Sequence, residues 1–244
     1  VDISDDGRYM AVGAWHDNGG KGSVFVFRKF SDGSWTETQK ITSVYGRKTQ
    51  SKFFHGNFGH SVVLHKDLLA VKAPWDYLDG IRGVVYLYKR GSDGQYKETQ
   101  KISAPEVDNT VSRHSQQLVL MDNFVLVGSH MEKKVSVFAR TSGGDYQKAT
   151  ELKASDATWP SWFGIGMVGD GNKVLVTDPG DYDDPDDDEA YLFEYEGGVW
   201  KEKAKFPGSG AISGNSILVT PSGFEMKGSR YGGTVEIYDL VCSS

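Results

Sequence analysis

The sequence predicts an all-β protein, a β-propeller of about five four-stranded antiparallel blades. Glycine supplies 30 of the 244 residues, well above the roughly 7% that is usual. Tyr and Phe number 12 each, which is typical of strands joined by tight turns. A pattern of four short strands recurs along the chain, and no window has the period of an amphipathic helix.

The last strand of the repeat, strand D, is its clearest part. Two copies are nearly identical and two are weaker: WTETQKI (35–41), YKETQKI (96–102), YQKATEL (146–152) and WKEKAKF (200–206). An alternating aromatic strand, strand C, precedes each copy and occurs a fifth time near the end: GSVFVF (22–27), GVVYLY (83–88), KVSVFA (134–139), EAYLFE (189–194) and GTVEIY (233–238). This alternation predicts half-buried strands.

Two further strands precede strand C in each unit. Strand B is apolar and ends in small residues: MAVGAW (10–15), LAVKAP (69–74), VLVGSH (125–130), VLVTDP (174–179) and ILVTPS (217–222). Strand A comes first, at FGHSVVL (58–64), HSQQLVL (114–120) and FGIGMVG (163–169). A four-stranded unit cannot bury both faces alone, so neighbouring units must pack together.

We therefore expect one propeller domain over residues 1–244. Its repeat units are approximately 1–57, 58–113, 114–162, 163–206 and 207–244. A repetitive β-sandwich or an open solenoid is the alternative. Val1 aligns with Val62, and no strand D follows Tyr238. The chain is thus either a five-bladed ring with a short last blade or a segment of a longer propeller.

The segment Phe58-Gly59-His60-Ser61-Val62, followed by LAVKAP, resembles an FG-GAP repeat, and Phe163-Gly164 restores the dipeptide in the fourth unit. FG-GAP repeats build the propeller head of integrin α subunits. The resemblance implies a secreted or cell-surface protein that binds a partner. The calcium loop that many members carry between strands A and B is missing here, because those links are short turns with few carboxylates.

The long links, B–C and D–A, lie at one end of an antiparallel blade, and we call that end the loop face. Its aromatic and histidine side chains suit stacking on sugar rings or anchoring a protein partner. The predicted ligand-binding residues are Trp15, His16, Phe54, Trp75, Tyr77, Trp159, Trp162, Tyr182 and Tyr231. The alternative is that several of them only fill the channel or the contacts between blades.

Residues 178–189 form the strongest local anomaly, with seven aspartates and one glutamate among twelve residues. Oxygen ligands at alternate spacing suit Ca²⁺. One hypothesis is a weak calcium site in this loop, with the ligands drawn from Asp181, Asp183, Asp186 and Asp187. A solvated acidic loop is the alternative, since the spacing matches no EF-hand.

Several function classes are disfavoured. A net charge of −6 argues against a nucleic acid partner, and no apolar run is long enough to insert in a membrane. The G-x-G-x-x-G of Gly164–Gly169 opens no helix, as a dinucleotide site requires. The six histidines show no metal-ligand spacing, and His60 and His114 are interpreted as packing residues.

We therefore expect a non-catalytic module, extracellular or at the cell surface, that binds a glycan or an extracellular protein on its loop face. The first alternative is a structural module of a surface filament or coat, with self-association through the lone Cys242. A hydrolase using carboxylates around the channel mouth is the less favoured third hypothesis.

Overall fold

Four antiparallel sheets of four strands each, and a smaller fifth sheet, build the computed structural model of the protein. It describes residues 1–43, 56–79, 81–103, 118–156, 161–179, 188–220, 226–227, 230–231 and 235–240. Strands pair in chain order within each four-stranded sheet, so the all-β prediction is confirmed. The helices in this part are one turn of α-helix, α1 (Asp17–Gly20), and one 3₁₀ turn (His130–Glu132).

The first three sheets follow the predicted order A to D. Sheet 1 comprises β1 (Asp2–Ile3), β2 (Tyr9–Ala14), β3 (Ser23–Lys29) and β4 (Trp35–Thr42). Sheet 2 comprises β5 (Ser61–His65), β6 (Leu68–Leu78), β7 (Ile81–Arg90) and β8 (Tyr96–Ser103). Sheet 3 comprises β9 (Leu118–Leu120), β10 (Phe124–Ser129), β11 (Lys134–Arg140) and β12 (Tyr146–Leu152).

The last two sheets differ in completeness. Sheet 4 comprises β13 (Gly166–Asp170), β14 (Lys173–Asp178), β15 (Glu189–Glu196) and β16 (Val199–Pro207). Sheet 5 comprises β17 (Ser209–Ser213), β18 (Ser216–Thr220) and β21 (Glu236–Asp239), and a small hairpin pairs β19 (Met226–Lys227) with β20 (Arg230–Tyr231). Within the described residues sheet 5 has no strand D.

The chain divides into two compact units. Unit 1 comprises Val1–Val125 and Phe138–Lys148, and unit 2 comprises Leu126–Val137 and Ala149–Ser244. Sheet 3 contributes residues to both. Within the described residues, no helix has the length and apolar character needed to cross a bilayer.

The core of unit 1 lies between sheets 1 and 2. Val24 and Val26 of sheet 1 pack with Leu69 and Val71 of sheet 2, and all four side chains are fully buried. Alternation along a strand places every second residue on one face, which is why the apolar positions predicted from the repeat meet here. Each such side chain contributes about 1.5–3 kcal/mol when it leaves water.

The core of unit 2 follows the same plan between sheets 4 and 5. Leu175 and Leu192 of sheet 4 pack against Ile217 and Val219 of sheet 5. Sheet 5 is therefore attached by the face that the repeat predicts to be apolar. The same packing rule operates in each unit.

The Phe-Gly dipeptides anchor each strand A to its own strand C. The Phe58 ring meets Tyr86 edge-on at a centroid distance of 5.2 Å, and the Phe163 ring meets Tyr191 in the same way at 5.6 Å. Both phenylalanines are fully buried. Edge-to-face pairs of this kind stabilise a core beyond the area they bury.

The glycine of each dipeptide approaches the backbone of the preceding sheet. A Cβ on Gly13 would lie 1.9 Å from the carbonyl oxygen of Gly59, and a Cβ on Gly128 would lie 2.0 Å from that of Gly164. Gly59 also has φ +87°, a conformation that favours glycine. Two glycines on facing sheets therefore set how closely the backbones come together.

A glutamine of strand D links successive sheets in unit 1. The Gln39 side-chain amide donates to the Tyr96 carbonyl oxygen at 2.9 Å and accepts from the Tyr96 N–H at 2.8 Å. Gln100 makes the same pair of bonds to Tyr146, both at 2.7 Å. This contact explains why TETQK and KETQK are so alike. The aligned residue of sheet 3 is Thr150.

Within unit 2, sheets 3 and 4 carry opposite charges at aligned positions. In sheet 3 a lysine begins strand C, and Lys134 Nζ lies 3.0 Å from Glu151 of strand D. In sheet 4 the acid begins strand C, and Lys205 Nζ of strand D lies 2.5 Å from Glu189. The two ion pairs occupy aligned positions on strands C and D, with the lysine and the glutamate exchanged between the strands.

Candidate functional site

One cluster at the loop face of unit 1 brings together the residues with the most unusual chemistry. The chain leaves β2 at Trp15 and His16, whose rings lie 3.4 Å apart by centroid. The Trp15 ring also lies 5.9 Å from the ring of His60, which immediately precedes β5. Lys72 of β6 lies beside strand β5.

The backbone of His60 is held by its neighbours on two sides. Its N–H is shared between the carbonyl oxygens of Asn57, at 3.1 Å, and Lys72, at 3.2 Å. The N–H of Gly59 also donates to the Lys72 oxygen at 3.2 Å. The Phe-Gly turn therefore fixes the backbone position of His60, at the end of sheet 2 where strand A starts.

The His60 imidazole is half-buried and favours its neutral form. Burial lowers the pKa of His60, and the nearby charge of Lys72 lowers it further. Its Nδ1 is buried, and among the described residues that atom has no hydrogen-bond partner. A buried nitrogen of this kind marks a position where a water or a substrate group can complete the hydrogen bond.

Lys72 is a fully buried lysine in the middle of an apolar strand. Burial lowers the pKa of its ammonium well below the ordinary lysine value, because a charge loses its hydration in the interior. Lysine is among the residues least often buried. Perturbed groups of this kind cluster at functional sites.

A second buried group lies on the same hairpin. Asp76 of β6 is 2% exposed and accepts hydrogen bonds from the Tyr86 hydroxyl at 2.6 Å and the Ser43 hydroxyl at 3.1 Å. Burial raises the pKa of Asp76. The tyrosine bond joins strands B and C, and the serine bond joins sheet 2 to the end of sheet 1, so this carboxyl is a structural link.

Unit 2 carries a related arrangement at its own loop face. His130, which follows β10, stacks on Trp162 with centroids 5.4 Å apart and planes at 14°. Asp178 accepts from the Ser161 hydroxyl and the Trp162 N–H, both at 2.6 Å, and burial raises its pKa. Since Ser161 donates to a carboxylate rather than to an imidazole, it is not prepared as a nucleophile.

Tyr191 of sheet 4 takes part in a closed ring of charges. Its hydroxyl oxygen lies 2.8 Å from a carboxylate oxygen of Asp156 and 2.5 Å from one of Glu189, and its single proton is donated to one of them at a time. Lys205 Nζ bonds the same two carboxylates, at 2.6 Å and 2.5 Å. Both acids are paired on two sides, which suits a link between the end of sheet 3 and sheet 4.

The structure places the predicted ligand-binding residues unevenly. Trp15 and His16 lie together, and Trp162 contacts His130, while Tyr231 lies in β20. Trp75 and Tyr77 were expected in a loop, and this is wrong: both lie within β6, whose hairpin with β7 continues through the pair Tyr77↔Arg82. The Arg82 guanidinium lies 4.6 Å above the Trp75 ring.

The other predictions fall on residues that are not described. These are the ligand-binding residues Phe54, Trp159 and Tyr182, the calcium ligands Asp181, Asp183, Asp186 and Asp187, and Cys242. The calcium site thus stays a prediction. The described part of the chain contains no group of three or more His, Cys, Asp or Glu side chains that could hold a metal ion.

Two residues of the site were not anticipated as functional. His60 was interpreted as a packing residue, and Lys72 was not singled out. The available signal was the aligned position in strand B, where sheets 1 and 3 have Gly13 and Gly128 and sheet 2 has a lysine. A change from glycine to lysine inside an apolar strand indicates a special position.

No family model and no curated protein matches the chain. Solved structures do match it. A protein from Bacteroides uniformis, provisionally named 6-phosphogluconolactonase, is 8% identical with a TM-score of 0.64, over 99% of this chain and 67% of that one. A Bacteroides fragilis protein of the same provisional name is 10% identical with a TM-score of 0.55, over 97% and 65%.

A third similar structure, a protein from Lactobacillus plantarum, is 16% identical with a TM-score of 0.55, over 82% of this chain and 58% of that one. The chain thus spans about three fifths to two thirds of the length of these structures. At such identities the likeness shows the fold alone.

These comparisons correct the functional expectation. A non-catalytic adhesion module was expected, but two of the structures that share the fold over nearly the whole chain carry the provisional name 6-phosphogluconolactonase. The prediction that the chain is not an enzyme is overturned by the same finding, and nothing supports adhesion or carbohydrate binding as its role. The names do not bear on the FG-GAP resemblance, which stays a prediction.

Proposed function

We propose that the chain is a propeller-fold hydrolase that opens the ring of a lactone, with His60 as the base. The observation that carries this proposal is the His60 imidazole itself, which is half-buried, favours its neutral form and has a buried Nδ1 without a partner in the described part of the chain. A base must be unprotonated at working pH and must face the group from which it takes a proton.

The reaction needs only a proton carrier and a place for the substrate. The imidazole takes a proton from water as the water oxygen attacks the lactone carbonyl carbon. The ring C–O bond then breaks, and the imidazolium returns its proton to the alkoxide that leaves. The products are a hydroxyl and a carboxylic acid on one molecule, and the base is restored.

Trp15 offers the surface for the substrate. Trp15 is 36% exposed as a residue, and its ring contacts both His16 and His60. The face of an indole packs well against the C–H groups of a sugar ring. The names of the similar structures favour a sugar lactone, so the proposed substrate class is an aldonolactone, with or without a phosphate ester.

The finer architecture belongs to the same proposal. A propeller is supported by the four four-stranded meanders and by the likeness to longer structures. It would be either a five-bladed ring with a short last blade or a segment of a longer propeller. The extracellular or cell-surface setting also remains a prediction.

Hydrolysis of glucono-1,5-lactone and of its 6-phosphate by the full chain tests the function, with acid release followed against the spontaneous rate. We expect His60→Gln to lower kcat by about 100-fold or more, as for other acid–base residues. His65→Gln is the matched control, because His65 lies at the opposite end of the same strand, where it bonds Asp5 and Asp122. A rate equal to the uncatalysed one, or an active His60→Gln variant, would refute the proposal.

A further inference from the structure

A cavity of about 70 Å³ lies between sheets 2 and 3, and all of its lining residues belong to unit 1. Its buried lining is apolar and includes Leu69, Leu87 and Leu120. The exposed residues Lys89 and Arg140 line its edge toward solvent. The contact between sheets 1 and 2 shows what occupies the corresponding space one repeat earlier.

Tyr9 fills that space between sheets 1 and 2. It begins strand B of sheet 1, and its ring meets Tyr96 of sheet 2 edge-on with centroids 6.2 Å apart. The guanidinium carbon of Arg90 lies 4.0 Å from the centroid of the Tyr9 ring. The Tyr9 hydroxyl oxygen would lie 3.3 Å from a Cβ on Gly94. A buried phenol ring therefore extends from sheet 1 to the C–D turn of sheet 2.

Sheet 3 repeats the residues of sheet 2 that surround the Tyr9 ring. The residues at the positions of Arg90, Gly94 and Tyr96 are Arg140, Gly144 and Tyr146, and all three line the cavity. The C–D turns bond alike, since the Gly94 N–H donates to Gly91 at 3.0 Å and the Gly144 N–H donates to Thr141 at 2.9 Å. The surroundings of the ring are thus conserved between the two contacts.

The residue that would fill the space is different. Leu68 stands at the position of Tyr9, and each begins the pairing of strands B and C in its sheet. Leucine is shorter than tyrosine and carries no ring. A Cβ on Gly144 would meet a nitrogen of Arg140 at 4.0 Å, whereas a Cβ on Gly94 would meet the Tyr9 hydroxyl. The cavity is therefore the place of the missing tyrosine side chain.

A second exchange changes the edge of the cavity. The Gln95 side-chain amide donates to the Thr38 carbonyl oxygen at 3.3 Å and so joins sheets 1 and 2. Asp145 stands at the position of Gln95 in sheet 3, and a carboxylate only accepts hydrogen bonds. Asp145 therefore cannot make this bond to Thr99, the residue aligned with Thr38, which lines the cavity.

The space suits a single aromatic ring. A cavity needs roughly 10–15 Å³ for each water that it holds, so about 70 Å³ corresponds to nearly as many non-hydrogen atoms as a phenol has. The guanidinium carbon of Arg140 lies 6.0 Å from the Tyr146 ring, a looser contact than that of Arg90 with Tyr9. A ring in the cavity would give Arg140 a closer cation–π partner.

We propose that the cavity between sheets 2 and 3 binds a small neutral phenol, which takes the place that the Tyr9 side chain occupies between sheets 1 and 2. The apolar lining holds the ring, Arg140 stacks on its face, and its hydroxyl lies near Gly144. Leu68 begins strand B, whereas Trp15 follows the end of that strand. The phenol site is thus separate from the proposed hydrolase site and does not depend on it.

The test is binding of phenol to the full chain, followed by NMR of the leucine methyl groups. Phenol should bind in the millimolar range. Leu68→Tyr should weaken this binding by at least about tenfold, because the new ring takes the space. Val199→Tyr is the matched control, since it adds a tyrosine at an exposed position of sheet 4 and should leave the affinity unchanged. A wild type that does not bind phenol, or unchanged binding by Leu68→Tyr, would overturn the proposal.

Two measurements on the wild type keep the proposal testable if Leu68→Tyr does not fold. Nuclear Overhauser effects should connect phenol to the methyl groups of Leu69 and Leu120, and effects confined to Trp15 would place the ligand elsewhere and overturn the assignment. Cyclohexanol has a similar size but no aromatic face, so it should bind about two- to fivefold more weakly than phenol. Equal affinities would contradict the choice of a phenol.

Discussion

Two contacts between neighbouring sheets share one backbone arrangement and differ in the side chains around it. One joins sheets 1 and 2 in unit 1, and the other joins sheets 3 and 4 in unit 2. Each has a glycine of strand B against the carbonyl oxygen of the next Phe-Gly, at nearly the same approach. Each also has an indole against an imidazole, Trp15 with His60 and Trp162 with His130.

The side-chain links around these two contacts differ. Unit 1 adds the Gln39 amide bonds to Tyr96 and a buried tyrosine–carboxyl bond. Unit 2 has Thr150 at the glutamine position and a half-exposed ring of charges around Tyr191. The comparison teaches that the repeat requires the close backbone approach, whereas the side-chain links between neighbouring sheets can be exchanged.

The largest expected effect tests the close approach of the strand-B glycine to the Phe-Gly carbonyl oxygen. We expect Gly13→Ala and Gly128→Ala each to lower the free energy of unfolding by about 3 kcal/mol or more, because the new Cβ collides with a backbone carbonyl. Urea denaturation measures both. Gly143→Ala is the control, since its Cβ would meet nothing closer than 3.6 Å. A tolerated alanine at only one of the two sites would show that the two contacts are not equivalent.

A smaller effect separates the two tyrosines. We expect Tyr86→Phe to cost about 2 kcal/mol, because it removes a donor from the buried Asp76 carboxyl. Tyr191→Phe should cost less than about 1 kcal/mol. The Tyr191 side chain is as buried as that of Tyr86, but the Asp156 and Glu189 carboxylates are 49% and 31% exposed and keep their bonds to Lys205. Thermal unfolding of the two variants gives the comparison, and equal losses would contradict the difference in burial between the carboxyl groups at the two sites.

The smallest effect concerns the glutamine links. Gln39→Ala removes two hydrogen bonds to the Tyr96 backbone, and we expect a loss of about 1–2 kcal/mol. Thr150→Ala changes the aligned, exposed residue of unit 2 and should alter stability by less than about 0.5 kcal/mol. Denaturation midpoints decide the matter, and a neutral Gln39→Ala would show that water fully replaces the amide.

The strand order could be read from the sequence because the repeat places apolar residues at every second position. The length of β6 could not, since Trp75-Asp76-Tyr77 resembles an irregular loop. The turn signal was present in Asp79-Gly80, and Asp79 indeed has φ +52°. A strand-B extension with polar residues is recognised only when its partner strand is known.

The candidate site was harder to foresee. An alternating pattern does not reveal whether Lys72 faces solvent or a neighbouring sheet, because both faces of a sheet in such a stack are covered. Nor does the spacing of histidines along the chain indicate that His60 lies beside a buried amine. Trp15 and His16 were predicted at the loop face because aromatic residues in long links are visible in the sequence itself.

The reversed ion pairs of sheets 3 and 4 bear on how a chain of similar repeats avoids confusion while it folds. If strand β11 paired with β16 in place of β12, Lys134 would meet Lys205 where it now meets Glu151. If β15 paired with β12, Glu189 would meet Glu151. Exchanged hairpins would thus place like charges next to each other at a half-buried position. This repulsion would destabilise mispaired folding intermediates before the sheets pack against one another.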